Sequence, residues 1–267
     1  MSNGSERIAE AFAAARADGR SAALMPYMMA GYPDLASSRA IARAYVEGGA
    51  DLIELGIPFS DPLADGPVIH SAAVAALRTG VRVDDALAIA REIAADVPVV
   101  AMCYANPIYA RGLERFVDAL ASLGVCGLIV PDLPMEEAPA VLEICDAHGI
   151  ALVPLVAPTT PAERLAAIGQ RARGFMYTVG VTGTTGERAS LDELLPDVLA
   201  RARASTSVPV AVGFGISTAT HAAEAAAAGA DGVIVGTRLV RAASEGADAV
   251  KSLVQEFAGA LRDGALG

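Results

Sequence analysis

Eight short apolar runs alternate with alanine-rich segments of helical periodicity along this 267-residue chain, and that alternation limits the fold more than any other feature. The runs fall at residues 24–30, 52–56, 97–104, 127–130, 151–156, 174–179, 208–213 and 232–236. They are apolar throughout, not alternately polar, which is the pattern of parallel strands covered on both faces. Helices are expected near 36–48, 84–95, 113–123, 135–148, 161–171, 191–204 and 218–228, with a last one over 239–262. Residues 1–20 read as a capped, amphipathic helix ahead of the first strand.

An internal echo supports the same reading. GGADLIELG at 48–56 and AGADGVIVG at 228–236 share a helix end, a Gly-Ala-Asp turn and a buried strand; GVCGLIVPD at 124–132 is a looser third copy. A repeated αβ unit and eight strands in a chain of this length predict a (β/α)8 TIM barrel with an extra N-terminal helix. The alternative is a doubly wound open sheet, which usually carries GxGxxG after its first strand. Here the first strand runs into AGYPD instead. No Pro/Ser-rich linker or charge block interrupts the pattern, so a single domain over 1–267 is expected.

Composition narrows the partners. Hydrophobic residues make up 54% of the chain, yet no apolar run approaches the ~20 residues that span a bilayer. The N-terminus lacks the apolar core of a signal peptide. A net charge of −11 argues against nucleic acid or an anionic membrane as partner. It leaves room for a phosphorylated small molecule, because backbone amides and helix N-termini bind phosphate without nearby cations. Cys103, Cys126 and Cys145 lie in apolar surroundings without CxxC spacing and read as reduced core residues, which points to the cytoplasm.

The stretch DLIELGIPFSDPLADGP, residues 51–67, carries the strongest chemical signal. Period-two alternation puts Leu52, Glu54 and Gly56 on one face of the strand and Ile53, Leu55 and Ile57 on the other. If the second set packs on the helices, Glu54 points into the barrel near its active end. A structural Glu paired with a cation or hydroxyl is the competing explanation, but no strand run contains Lys or Arg. Desolvation would then raise the Glu54 pKa towards neutrality, where a proton-shuttling carboxylate works. Asp61 and Asp65 follow in a Pro-rich loop, where Asp is usually a turn or cap residue. Asp65 gains weight because Ala64 and Gly66 leave room for a ligand and its loop returns over the barrel mouth.

Phosphate binding is signalled by VGFGIST (212–218) and VGTRL (235–239), glycines at strand ends followed by Ser or Thr opening a helix. Barrels use the loops after strands seven and eight in this way. VGVTGTTGERAS (179–190) reads either as a solvated connection or as a lid. Lys251 is the only lysine and falls in the final helix, so no strand-end amine is available for a Schiff base. His70, His148 and His221 are placed on a loop, a helix end and a helix, without metal-ligand spacing. What remains is acid–base chemistry by carboxylates on a phosphorylated small molecule, with neither metal nor cofactor expected.

LIELGIPFSDPLADGPVI closely resembles the signature of the tryptophan synthase alpha subunit family, and AGYPD, MCYANPIYARG, GLIVPDLPMEE, GFMYTVGVTGTTG, VGFGIS and GVIVGT follow in the family's order. The resemblance implies cleavage of indole-3-glycerol phosphate to indole and glyceraldehyde 3-phosphate without a cofactor. It implies Glu54 as general acid/base and Asp65 as hydrogen-bond acceptor for the indole N–H. It further implies Tyr104, Asp132, Tyr177 and Phe214 around the indole and glycerol, and Gly186, Gly215, Gly236 and Thr237 around the phosphate. Thr185 matches a lid threonine that engages the loop aspartate, while Gly180 and Thr184 depart from the family's frequent Ser and Val. The implied assembly is an α2β2 heterotetramer in which indole passes to a pyridoxal-phosphate-bearing β subunit, with residues 58–63 and 106–112 as the interface. Low activity alone and activation by β are expected. A stand-alone indole-3-glycerol-phosphate lyase and a catalytically idle allosteric partner of β are the alternatives. Indole-3-glycerol-phosphate synthase, on the same fold, relies on lysine at the barrel mouth, which this chain lacks.

Overall fold

The computed structural model describes residues 3–179, 195–213 and 215–262. Its strands are β1 (Ala23–Met29), β2 (Ile53–Gly56), β3 (Val99–Met102), β4 (Gly127–Ile129), β5 (Ala151–Leu152), β6 (Leu155–Val156), β7 (Met176–Thr178), β8 (Val210–Val212) and β9 (Gly232–Val235). They form one sheet in the order β5-β4-β3-β2-β1-β9-β8-β7-β6, and every pairing is parallel. Its two edges, β5 and β6, are halves of the single predicted run 151–156, parted only by Val153 and Pro154. The chain itself therefore joins the sheet's ends, and the fold is the predicted TIM barrel. Pro154 lacks the N–H that a continuous ladder needs, although its carbonyl still accepts from the Tyr177 N–H at 3.0 Å.

The strands sort their side chains as the apolar runs require. Ile53, Leu55 and Ile57 join the outer layer against the helices, whereas Leu52 packs inside with Met25, Val100, Ile129, Phe175 and Ile234. Helix Gly4–Ala17, capped by Asn3 and Glu6, closes the floor of the barrel with Ile8 and Phe12. Rings of Phe12 and Phe175 meet there, with centroids 6.1 Å apart.

The repeated Gly-Ala-Asp turns also belong to this floor. Asp51 Oδ2 accepts from the backbone N–H of Leu24 at 2.7 Å and from Arg20 at 2.6 Å. Asp231 does the same for Val210, its Oδ2 accepting at 2.9 Å while Oδ1 pairs with Arg16. Each aspartate thus satisfies a donor at the start of a neighbouring strand, a group that burial would otherwise leave unpaired. At the third copy, which lacks the Asp, Arg7 reaches the Gly124 carbonyl at 2.8 Å. The echo is a stabilising device at the end opposite the site.

Three expectations need correction. Residues 67–78, expected as loop, form helix Pro67–Arg78, so His70 is helical. Pro67 opens that helix, where its missing N–H costs nothing. Helix Ala105–Arg111 was likewise not expected. The final expected helix divides into Thr237–Ala243 and Ala247–Ala260 around Gly246, whose φ of 107° breaks it.

Candidate active site

A cavity of about 1130 Å3 opens at the C-terminal ends of the strands, the end at which barrel sites lie. Its wall includes Glu54 from β2, Tyr27 from β1, Tyr177 from β7, Ile234 from β9 and Asp65 from the loop after β2. The period-two pattern of β2 turns Glu54 inward, where it is 1% exposed. Among the described residues neither of its carboxylate oxygens has a hydrogen-bond partner. Burial, and secondarily the charge of Asp65, pushes its pKa up to about 8. That shift favours the protonated carboxyl at neutral pH, a form suited to donating a proton.

Asp65 is set differently. Burial raises its pKa, but the Tyr104 hydroxyl donates to Oδ1 at 3.1 Å and nearby His70 favours the charged form. Two carboxyls thus face one cavity in unequal surroundings, one without partners and one with a donor. The Tyr104 donor favours the charged form of Asp65, whereas Glu54 has no such donor.

Tyr104 ties the loop to the barrel. Its hydroxyl accepts from the Ala64 N–H at 3.1 Å, and its ring stacks against Phe59 at 5.4 Å. Asp132, at the end of β4, accepts from the Ala105 N–H at 2.9 Å, beside Tyr104. Tyr104 braces the segment bearing Asp65, and Asp132 holds the backbone next to Tyr104. Tyr177 lines the wall, and its hydroxyl lies 2.3 Å from where a Cβ on Gly213 would sit. The Tyr27 hydroxyl lies 2.1 Å from the equivalent point on Gly56. Both phenols need a glycine at the end of a neighbouring strand, since real Cβ atoms are not approached so closely.

The phosphate candidates divide. Gly215, Gly236 and Thr237 line the same cavity. Gly215 has φ 70°, in the left-handed region, and Gly236 precedes helix Thr237–Ala243. Thr185, Gly186 and Phe214 lie outside the described residues, as do Gly180, Thr184 and the rest of residues 180–190. Among the described residues no cluster of His, Cys, Asp and Glu is arranged to hold a metal ion. Cys103, Cys126 and Cys145 are free and buried, and burial pushes Cys103 and Cys145 up to about 12.

Two residues of the site escaped the reading of the sequence. Tyr27 pairs in register with Glu54, and the parity argument applied to Glu54 would have found it. His221 contacts the Gly215 turn from the following helix, and the GFGIST motif by itself holds no sign of it.

Comparison with known proteins agrees with this architecture. A model of the family described as "Tryptophan synthase alpha chain" matches residues 12–264. The tryptophan synthase alpha chain of Synechococcus elongatus is 47% identical, over 95% of this chain and 96% of its own. That of Methanosarcina mazei is 46% identical, over 97% and 94%. A chain in the structure of Mycobacterium tuberculosis tryptophan synthase superposes with a TM-score of 0.91 at 42% identity, covering 97% of this chain and 99% of that one. With a family model over nearly its whole length and relatives of this identity and coverage, the chain belongs to the tryptophan synthase alpha chain family.

Proposed function

We propose that this chain cleaves indole-3-glycerol phosphate to indole and glyceraldehyde 3-phosphate, with Glu54 moving the protons and Asp65 steadying the indole nitrogen. The observation that carries the reading is Glu54, a buried and unpartnered carboxyl facing the cavity, with its pKa raised to about 8. The phosphate would rest on the glycine-bearing turns at Gly215 and Gly236 and on Thr237, with the indole among the apolar residues of the wall.

The proton inventory closes on Glu54 alone. Protonated Glu54 delivers its proton to indole C3, and the ring becomes a cation whose N–H is more acidic. The Asp65 carboxylate accepts that N–H and offsets the charge. The Glu54 carboxylate then removes the proton of the adjacent glycerol hydroxyl. As the C=O forms, the bond to C3 breaks and its electrons return to the ring, releasing indole and leaving Glu54 protonated again. Tyr104 and Asp132 hold Asp65 in place.

Partner and compartment follow from the family and from the surface. Among the described residues the exposed large apolar side chains are Leu63, 86% exposed, and Tyr109, 50% exposed. One falls in each segment expected to meet a β subunit, 58–63 and 106–112, and an α2β2 complex is the proposed assembly. The site loop runs through the first of these segments, so docking of β can order Asp65. Three free thiols suit a reducing compartment, and the proposed location is the cytoplasm. No described helix is long and apolar enough to cross a membrane.

Indole release, assayed with β titrated in, tests the reading. Glu54→Gln and Asp65→Asn should each lower kcat by roughly 10²–10⁴-fold with the circular dichroism spectrum retained. Wild-type turnover in Glu54→Gln would sink the mechanism. Equal turnover with and without β would remove the activation.

A further inference from the structure

His221 is 6% exposed, and the mechanism above does not use it. It is the third residue of helix Ala219–Ala227, whose N-cap Thr218 accepts from the His221 N–H at 3.2 Å. A Glu or Gln at this position can fold back to accept from the N-cap amide. His221 instead places Nδ1 2.9 Å from the carbonyl oxygen of Gly215. That oxygen can only accept, so Nδ1 carries the proton. The Ser217 hydroxyl lies 3.3 Å from the same nitrogen, and the Ser217 N–H also points at the ring, at the longer distance of 3.4 Å.

The consequence lies on the other side of the turn. In a trans peptide C=O and N–H point in opposite directions. Holding the Gly215 carbonyl on His221 therefore directs the Ile216 N–H away from the helix, while Gly215, Ile216 and Ser217 line the cavity. Gly215, at φ 70°, permits this orientation but does not enforce it.

We propose that His221 is a positioning residue that locks the turn 215–217 with the Ile216 N–H facing the phosphate of the substrate. The proposal rests on the phosphate site inferred above. It predicts a defect in phosphate recognition separable from the chemistry at Glu54.

The test uses the full-length chain with inorganic phosphate and indole as separate probes. His221→Leu should raise KM and the phosphate inhibition constant about five- to tenfold, the effect of one hydrogen bond, with little change in kcat or indole binding. His221→Gln, whose amide can donate to the same carbonyl, should recover most of the loss. In the wild type, 15N chemical shifts should report Nδ1 protonated, and phosphate should perturb the ring; this reading does not depend on how a variant folds. An Nε2-protonated ring, or a Leu variant with unchanged phosphate inhibition, overturns the proposal but leaves the phosphate site standing. Failure of phosphate to compete with substrate in the wild type overturns both.

Discussion

Glu54 concentrates the cost and the use of this fold in one carboxyl. Its folded pKa of about 8 lies above the ordinary value of 4.5, so the folded state binds more protons than the unfolded state between those limits. Stability contributed by Glu54 is complete below about 4.5 and is lost as pH rises through about 8. Glu54→Gln has no such ionisation. Its stability relative to wild type should rise by about 1.4 kcal/mol per pH unit across the window. Urea unfolding at several pH values between 5 and 8 measures this, and a constant difference would disprove it. Glu54 was legible in the sequence because an acid inside an apolar run has few explanations. Asp65 was legible mainly through its resemblance to the family, since a loop aspartate usually caps a turn. Tyr104 and Asp132 were found as residues, but their bracing of the Asp65 loop depends on hydrogen bonds between separate strand ends.

At the scale of elements, the two Gly-Ala-Asp turns do equivalent work at the floor of the barrel. Each joins a helix end to a strand and supplies a carboxylate to an N–H at the start of a neighbouring strand and to an arginine. Asp51→Ala should therefore leave the Leu24 N–H and Arg20 without their partner, a loss of about 2–4 kcal/mol. Chemical denaturation of the variant checks this, and the residual folded enzyme should keep the wild-type KM because the floor is remote from the site. The eight apolar runs announced their strands well. The helices at Pro67–Arg78 and Ala105–Arg111 stayed hidden because both follow strand ends within segments rich in Pro and Gly, where local propensity favours a loop. Tertiary packing decided otherwise, placing Ile69 and His70 beside the site.

At the scale of the whole molecule, the large apolar side chains exposed among the described residues are Leu63, which lines the cavity, and Tyr109. Tyr109→Asp should raise the β concentration needed for half-maximal activation about tenfold or more, as for a buried aromatic anchor lost from an interface. A titration of β against indole release measures the midpoint, and an unmoved midpoint rules Tyr109 out of the contact. The sequence alone determined the barrel, its eight apolar strand runs (one of which the structure divides into β5 and β6) and the inward direction of Glu54, because each follows from local periodicity and from the cost of burying charge. It also confined the chemistry to carboxylates by supplying a single lysine, remote from any strand end. The tertiary structure decided that the chain between β5 and β6 joins the two edges of the sheet, that Tyr27 and Tyr177 overlie Gly56 and Gly213, and that His221 grips the Gly215 turn. Those relations join residues on different strands, or a helix to the loop before it, through distances that no one-dimensional pattern records. They exist only once the barrel has curled, and the active site is assembled from them.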